Sequence, residues 1–225
     1  MHLRDLIQFL AELSENNNRA WFVMNKPRYD ILRAEFLELV TGLITDIAKF
    51  DPAVADCNPK KALFRINRDM RFSHDKSPYK TTFSAAITSS GLKKPSQGGG
   101  PAYYFHIDAN GTLLVAGGEY MPPSDRLRLI RQQVIADAAG FGKVLKNKKL
   151  NATFGGLNQE GKLTRPPKGF DADAPHLESI KLKNFIAWTE TSLKKKIPAD
   201  LEKELVAVFK DAYPLIAWLR QVKQA

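Results

Sequence analysis

Hydrophobic residues recur at helical spacing in the first and last parts of the chain. Near the N-terminus they predict a helix with one buried face, and residues 16–18, all asparagine, predict the cap of a short aromatic helix. A longer helix is predicted from about residue 28 to residue 50, and two closing helices near residues 175–193 and 199–219. The apolar positions are Leu3, Leu6, Ile7, Leu10 and Leu13; Trp21 and Phe22; Ile31, Leu32, Phe36, Leu39, Val40, Leu43, Ile44 and Ile47; and Ile180, Phe185, Trp188, Leu201, Leu205, Phe209 and Trp218.

The middle of the chain changes to a period of two, which is typical of half-buried antiparallel strands. Residues 81–88 and 102–108 alternate in this way, and residues 108–111, Asp-Ala-Asn-Gly, predict a tight hairpin turn into a third strand. A further strand is predicted at residues 61–66. The Gly-rich stretch 91–100 predicts a mobile loop, and Ser124 is expected to cap another helix. The residues facing one side of these elements are Phe83, Ala85 and Ile87; Tyr103, Phe105 and Ile107; and Leu127, Ile130 and Val134.

Runs of helix, then strands, then helix predict an α+β fold. We expect an antiparallel sheet of about four to six strands in the middle of the chain, covered by N-terminal and C-terminal helices. The 225 residues are 44% hydrophobic, which fits one domain with a single large core.

Composition points to a protein of a reducing compartment. The single cysteine, Cys57, excludes an intramolecular disulfide framework and paired-cysteine zinc or redox motifs. Asp5 and Glu12 interrupt the apolar residues of the N-terminus, so it does not match a signal peptide. No stretch approaches the roughly 20 apolar residues of a membrane span. We therefore expect a cytoplasmic protein with no membrane partner.

Positive charge is concentrated in one segment. The chain carries a net charge of +10, and half of that excess lies between residues 58 and 81, which hold two acidic residues, Asp69 and Asp75. The seven basic residues of this segment are Lys60, Lys61, Arg65, Arg68, Arg71, Lys76 and Lys80. Internal pairing cannot neutralise seven cations with two carboxylates, so the charge balance favours an exposed anion site.

Familiar catalytic signatures are absent from the sequence. There is no GxxxxGK[ST] phosphate loop, no HExxH zinc helix and no GxSxG nucleophile turn. His106 and Asp108 share one face of a predicted strand and could supply two metal ligands, but no third is evident, so no metal site is predicted. Cys57 has no obvious base beside it, which makes a nucleophilic role unlikely to arise there.

Arg68 raises the main question about the basic segment. If the strand at 61–66 buries Phe64 and Ile66, alternation directs Arg68 to the same side, where its guanidinium needs a carboxylate or an anionic ligand. Asp69 and Asp75 are the nearest carboxylates. Because Arg binds carboxylate and phosphate with the same bidentate geometry, the arginines can be internal staples, ligand contacts, or both.

The segment resembles the RxxRDxRF…DKxxY signature of a bacterial family of about this length that is catalogued as a domain of unknown function. Further similarities are NNNRAWFVMNK, YKTTFSAAI, PAYYFHI, GGEYMPP and RPPKGFDAD. The resemblance implies domain boundaries close to the chain ends and supplies no reaction. It points to Arg65, Arg68, Asp69, Arg71, Phe72, Asp75, Lys76 and Tyr79 as the signature residues, with Lys168 and Arg131 as weaker candidates.

Two classes of function follow from these residues. The first is a phosphate- or polyanion-binding domain for a phosphorylated small molecule or nucleic acid, in which Arg65, Arg68, Arg71, Lys76, Lys80 and Lys168 contact the anion and Asp69, Asp75 and Tyr79 orient it. An enzymatic version would hold Mg²⁺ through Asp69 or Asp75 for phosphoester hydrolysis and would need a further carboxylate, for which Glu119 is the candidate. The second class makes the motif a buried salt-bridge lattice in a non-catalytic, partner-binding protein.

Overall fold

The computed structural model describes residues 1–69, 75–89 and 100–222. Two features predicted from the sequence therefore fall wholly or largely outside the described residues. These are the signature residues Arg71 and Phe72, and the Gly-rich loop predicted at 91–100, of which only Gly100 is described.

A four-stranded antiparallel sheet lies at the centre of the described fold. Strands β1 (Thr82–Thr88), β2 (Ala102–Asp108), β3 (Thr112–Glu119) and β4 (Phe185–Ser192) follow one another in chain order, so β1 and β4 are the two edge strands. The predicted turn joins β2 to β3: Asp108 accepts hydrogen bonds from the backbone of Gly111 and Thr112, and Gly111 has the positive φ of 73° that such turns require. The predicted α+β class and the first three strands are confirmed.

Helices from both ends of the chain pack against the sheet, as predicted. The N-terminal helices are α1 (Leu3–Glu15), α2 (Arg19–Met24), α3 (Lys26–Ala48) and the short α4 (Pro59–Ala62); the later ones are α5 (Ser124–Ala136), α6 (Ala138–Leu145), α7 (Lys148–Phe154), α8 (Leu177–Ile180) and α9 (Leu201–Arg220). Asn18 caps α2 through the backbone N–H of Trp21, which confirms the predicted role of the asparagine run. Ile31, predicted to share the buried face of α3, is instead 62% exposed.

One face of the sheet forms the main hydrophobic core. Phe36 of α3 packs against Phe83 and Phe105, with ring centroids 5.4 Å and 5.2 Å away, and Phe209 of α9 lies 5.3 Å from Tyr103. A Cβ atom on Gly117 would lie 2.4 Å from the Cβ of Ala212, so the closeness of α9 to β3 depends on this glycine. Alternate residues of β2, including Tyr104 and His106, therefore point to the other face of the sheet, where they are partly exposed.

A second hydrophobic cluster lies toward the β4 edge. It joins α5, α6 and the C-terminal end of α9 to β4; Phe141, Phe185, Leu215 and Leu219 are fully buried in it. The segment 155–170 borders this cluster: the backbone N–H of Asn158 donates to Ile186 O, and that of Leu163 donates to Lys181 O. The sheet thus separates the segment from β1.

The helix predicted at residues 175–193 is wrong. Helix α8 ends at Ile180, and residues 185–192 form β4 instead. Phe185 and Ala187 are buried in the second cluster, whereas the side chain of Trp188 is partly exposed and that of Glu190 is exposed. The spacing of Ile180, Phe185 and Trp188 matched a helix by coincidence, since pairing with β3 imposes the period of two.

Two smaller predictions also need correction. Residues 61–66 do not form a regular strand: Asn58 caps α4 through the N–H of Lys61, Pro59 starts that helix, and only a single bridge, Leu63 to Ala85, joins the segment to β1. Ser124 begins α5 but does not cap it, because the N-cap residue is Pro123 and makes no side-chain hydrogen bond. Within the described residues, no helix is both long and apolar enough to cross a membrane.

Candidate functional site: a cationic turn beside the edge of the sheet

The signature segment folds back on itself beside β1. Asn67 and Tyr79 form an antiparallel bridge, Arg68 N donates to Pro78 O at 2.9 Å, and Lys80 N donates to Ile66 O at 2.8 Å. Phe64 N donates to Ser84 O at 3.0 Å. This bond fixes the first arm of the turn, residues 63–68, to the edge strand β1; residues 78–80 form the second arm. This pairing brings both ends of the signature together. Of the two residues that were predicted to be buried here, Ile66 is 5% exposed and Phe64 is only partly buried.

The N-terminal helices hold the second arm of the turn in place. Asn17 makes two hydrogen bonds of 3.0 Å with the backbone of Tyr79, accepting from its N–H and donating to its carbonyl oxygen. The Tyr79 ring stacks on Phe22, with a centroid distance of 4.0 Å and an interplanar angle of 16°. Tyr79 is 7% exposed, so the structure gives it a packing role, whereas the sequence predicted a ligand-orienting one.

Arg68 faces Asp75 within the turn. Its Nη2 lies 2.8 Å from Asp75 Oδ2 and donates to Tyr79 O at 3.3 Å. Hydrogen bonds from Ser77, and then the charge of Arg68, lower the pKa of Asp75. The Asp75 side chain is 55% exposed and that of Arg68 is 22% exposed, so this ion pair lies at the protein surface. Asp69 is partly buried and Lys76 is exposed.

Three cations converge at the base of the turn. Burial, followed by the charges of Arg65 and Arg68, lowers the pKa of Lys80, which means that the two guanidinium groups lie close enough to disfavour the charged amine. Arg65 is exposed. Within the part of the chain that the structure describes, neither Arg65 nor Lys80 forms an ion pair with a carboxylate. This point of the surface therefore carries positive charge that the described acidic residues do not neutralise.

A groove with aromatic walls adjoins the three cations. It runs between α3 and residues 63–66, over the start of β1, and Phe64 links it to the cations because Lys80 Nζ lies 5.3 Å from the Phe64 ring centroid. Arg33, which the sequence did not single out, lies in this groove and hydrogen-bonds to the Tyr29 hydroxyl. The sequence feature that could have indicated Arg33 is its position one helical turn after Tyr29. The lining residues are Tyr29, Arg33, Phe36, Leu63, Phe64, Ile66, Thr82, Phe83 and Ser84.

The weaker candidates lie at the other edge of the sheet. Lys168 is exposed on the 155–170 segment, next to β4, whereas the cationic turn lies next to β1. Arg131 of α5 is buried and donates to Leu182 O at 2.9 Å, so it stabilises the second cluster. Neither residue is brought to the turn.

Glu119, the carboxylate proposed to complete a magnesium site, is engaged elsewhere. It is 4% exposed and accepts hydrogen bonds of 3.0 to 3.2 Å from Arg126. Other N–H groups of Arg126 donate to the carbonyl oxygens of Leu219, in the last turn of α9, and of Val222, two residues after that helix. Strand register places it at the end of the sheet opposite to Thr82, where the turn enters β1. Among the described residues, no group of three or more His, Cys, Asp or Glu side chains could hold a metal ion.

The remaining candidate side chains have ordinary surroundings. His106 Nδ1 lies 3.1 Å from the Tyr104 hydroxyl, and burial lowers the pKa of His106 despite the opposing charges of Asp108 and Glu190, so the ring is neutral at pH 7. Burial raises the pKa of the Cys57 thiol, which leaves it protonated and a poor nucleophile.

The buried ion pair of the core lies outside the signature. Asp51 is 1% exposed; it accepts a hydrogen bond of 2.7 Å from the Tyr103 hydroxyl and pairs with Arg220 at 2.5 Å. Burial and the Asp51 carboxylate raise the pKa of Tyr103. Asp51 and Arg220 are 169 positions apart, and no local pattern in the sequence marks them as partners.

Comparison with known proteins agrees with the resemblance seen in the motif. Residues 5–218 match the model of DUF2461, a family described as conserved hypothetical proteins. No curated protein and no solved structure matches the chain. The match extends over nearly the whole chain, and the protein belongs to the DUF2461 family.

Proposed function

We propose that Arg65, Arg68 and Lys80 form a binding site for phosphate groups, and that the ligand is a nucleotide or nucleic acid. The observation that carries the proposal is the pairing of the two arms of the turn, in which Arg68 N donates to Pro78 O and Lys80 N donates to Ile66 O, so that the three cations lie together. Burial, and then the charges of Arg65 and Arg68, lower the pKa of Lys80. An anion placed among the three would favour the charged form of Lys80, and the gain in interaction energy would favour binding. No reaction is part of the proposal.

The Arg68–Asp75 pair positions one of the three cations. Asp75 accepts a hydrogen bond from Nη2 of Arg68, and the Nε atom of Arg68 is buried without a hydrogen-bond partner among the described residues. Because Asp75 is itself more than half exposed, solvent screens its charge, and the local balance remains positive.

The proposal is tested with a fluorescein-labelled mixed oligonucleotide, titrated at several KCl concentrations. We expect the logarithm of the association constant to fall linearly with the logarithm of the salt concentration, and Arg65→Gln to reduce the slope by about 0.7 to 0.9. The matched control is Arg165→Gln, since Arg165 is equally exposed but lies in the 155–170 segment. Absence of binding at low salt, or equal slopes for the two variants, contradicts the proposal.

The second candidate function is a structural role for the signature segment. The Arg68–Asp75 ion pair favours this role for one signature residue, Arg68. On that reading Arg68→Ala would unfold the protein. The exposure of Asp75 supports a smaller effect, because surface ion pairs contribute about 0–1 kcal/mol. We expect Arg68→Ala to keep a cooperative thermal transition and to lose affinity for the oligonucleotide. Loss of the transition with intact binding of Arg65→Gln would favour the structural role. Metal-dependent hydrolysis has no supporting carboxylate cluster among the described residues.

A further inference from the structure

Aromatic side chains form a row that starts at the cationic turn and crosses the face of the sheet opposite to the main core. The Phe64 ring lies 6.0 Å from the ring of Tyr104 in an edge-to-face arrangement, and Tyr104 lies 5.7 Å from His106. Burial raises the pKa of Tyr104; a hydrogen bond between its hydroxyl and Ser84 opposes this rise, and the nearby Tyr120 adds to it. Tyr120 is 57% exposed.

Strand register extends the same row to the far edge. Tyr104 is opposite Ala86 on β1 and Ala116 on β3, and Ala116 is in turn opposite Trp188 on β4. Residues directly opposite one another in a sheet point to the same face, so two partly exposed aromatic residues flank a small one. Because β3 lies between β2 and β4, two strand spacings separate the backbones of Tyr104 and Trp188, which is about 9.5 Å.

The row and the cations share a residue. Lys80 Nζ lies over the Phe64 ring, and Phe64 N donates to the carbonyl oxygen of Ser84, the residue that strand register pairs with His106. Positive charge at one end and partly exposed rings along the row complement a ligand that joins phosphate to a planar base. Inorganic polyphosphate has no ring to stack, and a duplex hides the faces of its bases.

We propose that this row stacks unpaired nucleobases, so that the ligand of the cationic turn is a nucleotide or a single strand of nucleic acid. The inference rests on the proposed phosphate site and restricts its ligand to one with unpaired bases. The phosphate contacts Arg65, Arg68 and Lys80, the first base lies against Tyr104, and a following base of a longer strand reaches Trp188.

Fluorescence anisotropy separates the base-stacking step from the charge step. The probes are a labelled oligo(dT) of about ten nucleotides, which matches the usual site size, and the same strand in a duplex; unlabelled polyphosphate and thymidine monophosphate serve as competitors. Tyr104→Leu should weaken oligo(dT) binding about tenfold while the inhibition constant of polyphosphate stays unchanged. Tyr104→Phe keeps the ring and should bind normally. Tyr213→Leu on α9 is the matched control, because Tyr213 is also partly buried but packs against Phe50 on the other side of the sheet.

The outcomes distinguish the two proposals. Suppose that oligo(dT) and polyphosphate both bind through Arg65. If Tyr104→Leu then weakens the binding of neither ligand, or weakens both equally, base stacking is refuted and the phosphate site stands. If neither polyanion binds at low salt, both proposals are refuted. If the inhibition constant of thymidine monophosphate rises with Tyr104→Leu and stays unchanged with Trp188→Leu, while oligo(dT) binding weakens in both variants, the ligand is a strand. If oligo(dT) binding weakens only with Tyr104→Leu, and as much as that of thymidine monophosphate, the ligand is a mononucleotide. A thermal melt of Tyr104→Leu excludes unfolding as the cause, and Tyr104→Phe supplies the test if that variant does not fold.

Discussion

Lys80→Met separates binding from stability at the cationic turn. Methionine keeps an apolar stem over the Phe64 ring and removes the charge. The change loses a cation–π contact worth about 0.5–1 kcal/mol at an exposed site, and it relieves repulsion from Arg65 and Arg68 that solvent screens to a few tenths of a kcal/mol each. The two effects oppose each other, so we expect a change within about 1 kcal/mol, or a shift in Tm of about 2–4 °C at most for a chain of this length.

Binding should respond far more strongly to the same substitution. Loss of one charged contact to phosphate corresponds to about 1.5 kcal/mol or more, a fall in affinity of roughly tenfold or greater. Lys168→Met is the matched control, since Lys168 lies at the other edge of the sheet and should leave both quantities unchanged. Anisotropy titration and a thermal melt measure the two quantities on the same preparation.

The pH dependence gives an independent check with a defined sign. Because the pKa of Lys80 is lowered in the unliganded protein, its charge is lost at a lower pH than that of an ordinary lysine, near 10.4. Affinity for an anion should therefore fall as the pH rises through this lowered pKa. Stability changes in the opposite direction: the cost of holding a charged Lys80 in the fold is present below the lowered pKa and disappears as the pH rises toward the unfolded value. A Tm that drops by more than about 6 °C in Lys80→Met, with unchanged affinity and pH dependence, would refute the reasoning.

Three further predictions concern residues outside the cations. Asp51→Ala leaves Arg220 buried without its partner, which costs about 3–5 kcal/mol and should lower Tm by about 6–20 °C; an unchanged melt contradicts the buried pair. Asn17→Ala removes both hydrogen bonds to the backbone of the turn and should cost about 1–3 kcal/mol, with weaker oligonucleotide binding measured by anisotropy. The pKa of Glu178 is lowered to about 2 by Lys162 and Lys181, so its stabilising contribution should be lost as pH falls from its unfolded value toward 2; carboxyl NMR titration should show that Lys181→Met raises this pKa.

Local pattern was sufficient for most of the secondary structure. Helices α1, α3 and α9 and the β2–β3 hairpin follow directly from apolar spacing and from a turn sequence with glycine at its positive-φ position. These elements are predictable because each buries one face or closes one turn within a few residues of chain. The signature segment was likewise recognisable as a unit, since its charge density stands out from the rest of the sequence.

Only tertiary contacts decided how the pieces meet. Residues 185–192 are a strand because β3 offers an edge to pair with, although the local spacing of apolar residues also fits a helix. Alternation along a strand at 61–66 predicted that Arg68 points inward, but that strand is not formed, and the Arg68 and Asp75 side chains are 22% and 55% exposed. The buried Asp51 pairs with Arg220 across nearly the whole chain. Asn17 holds the turn at Tyr79 from 62 positions away. The sequence by itself determined most of the helical and alternating segments and where positive charge is concentrated. The fold decided the strand at 185–192, which charges are neutralised and which remain, because these depend on long-range packing that no local pattern encodes.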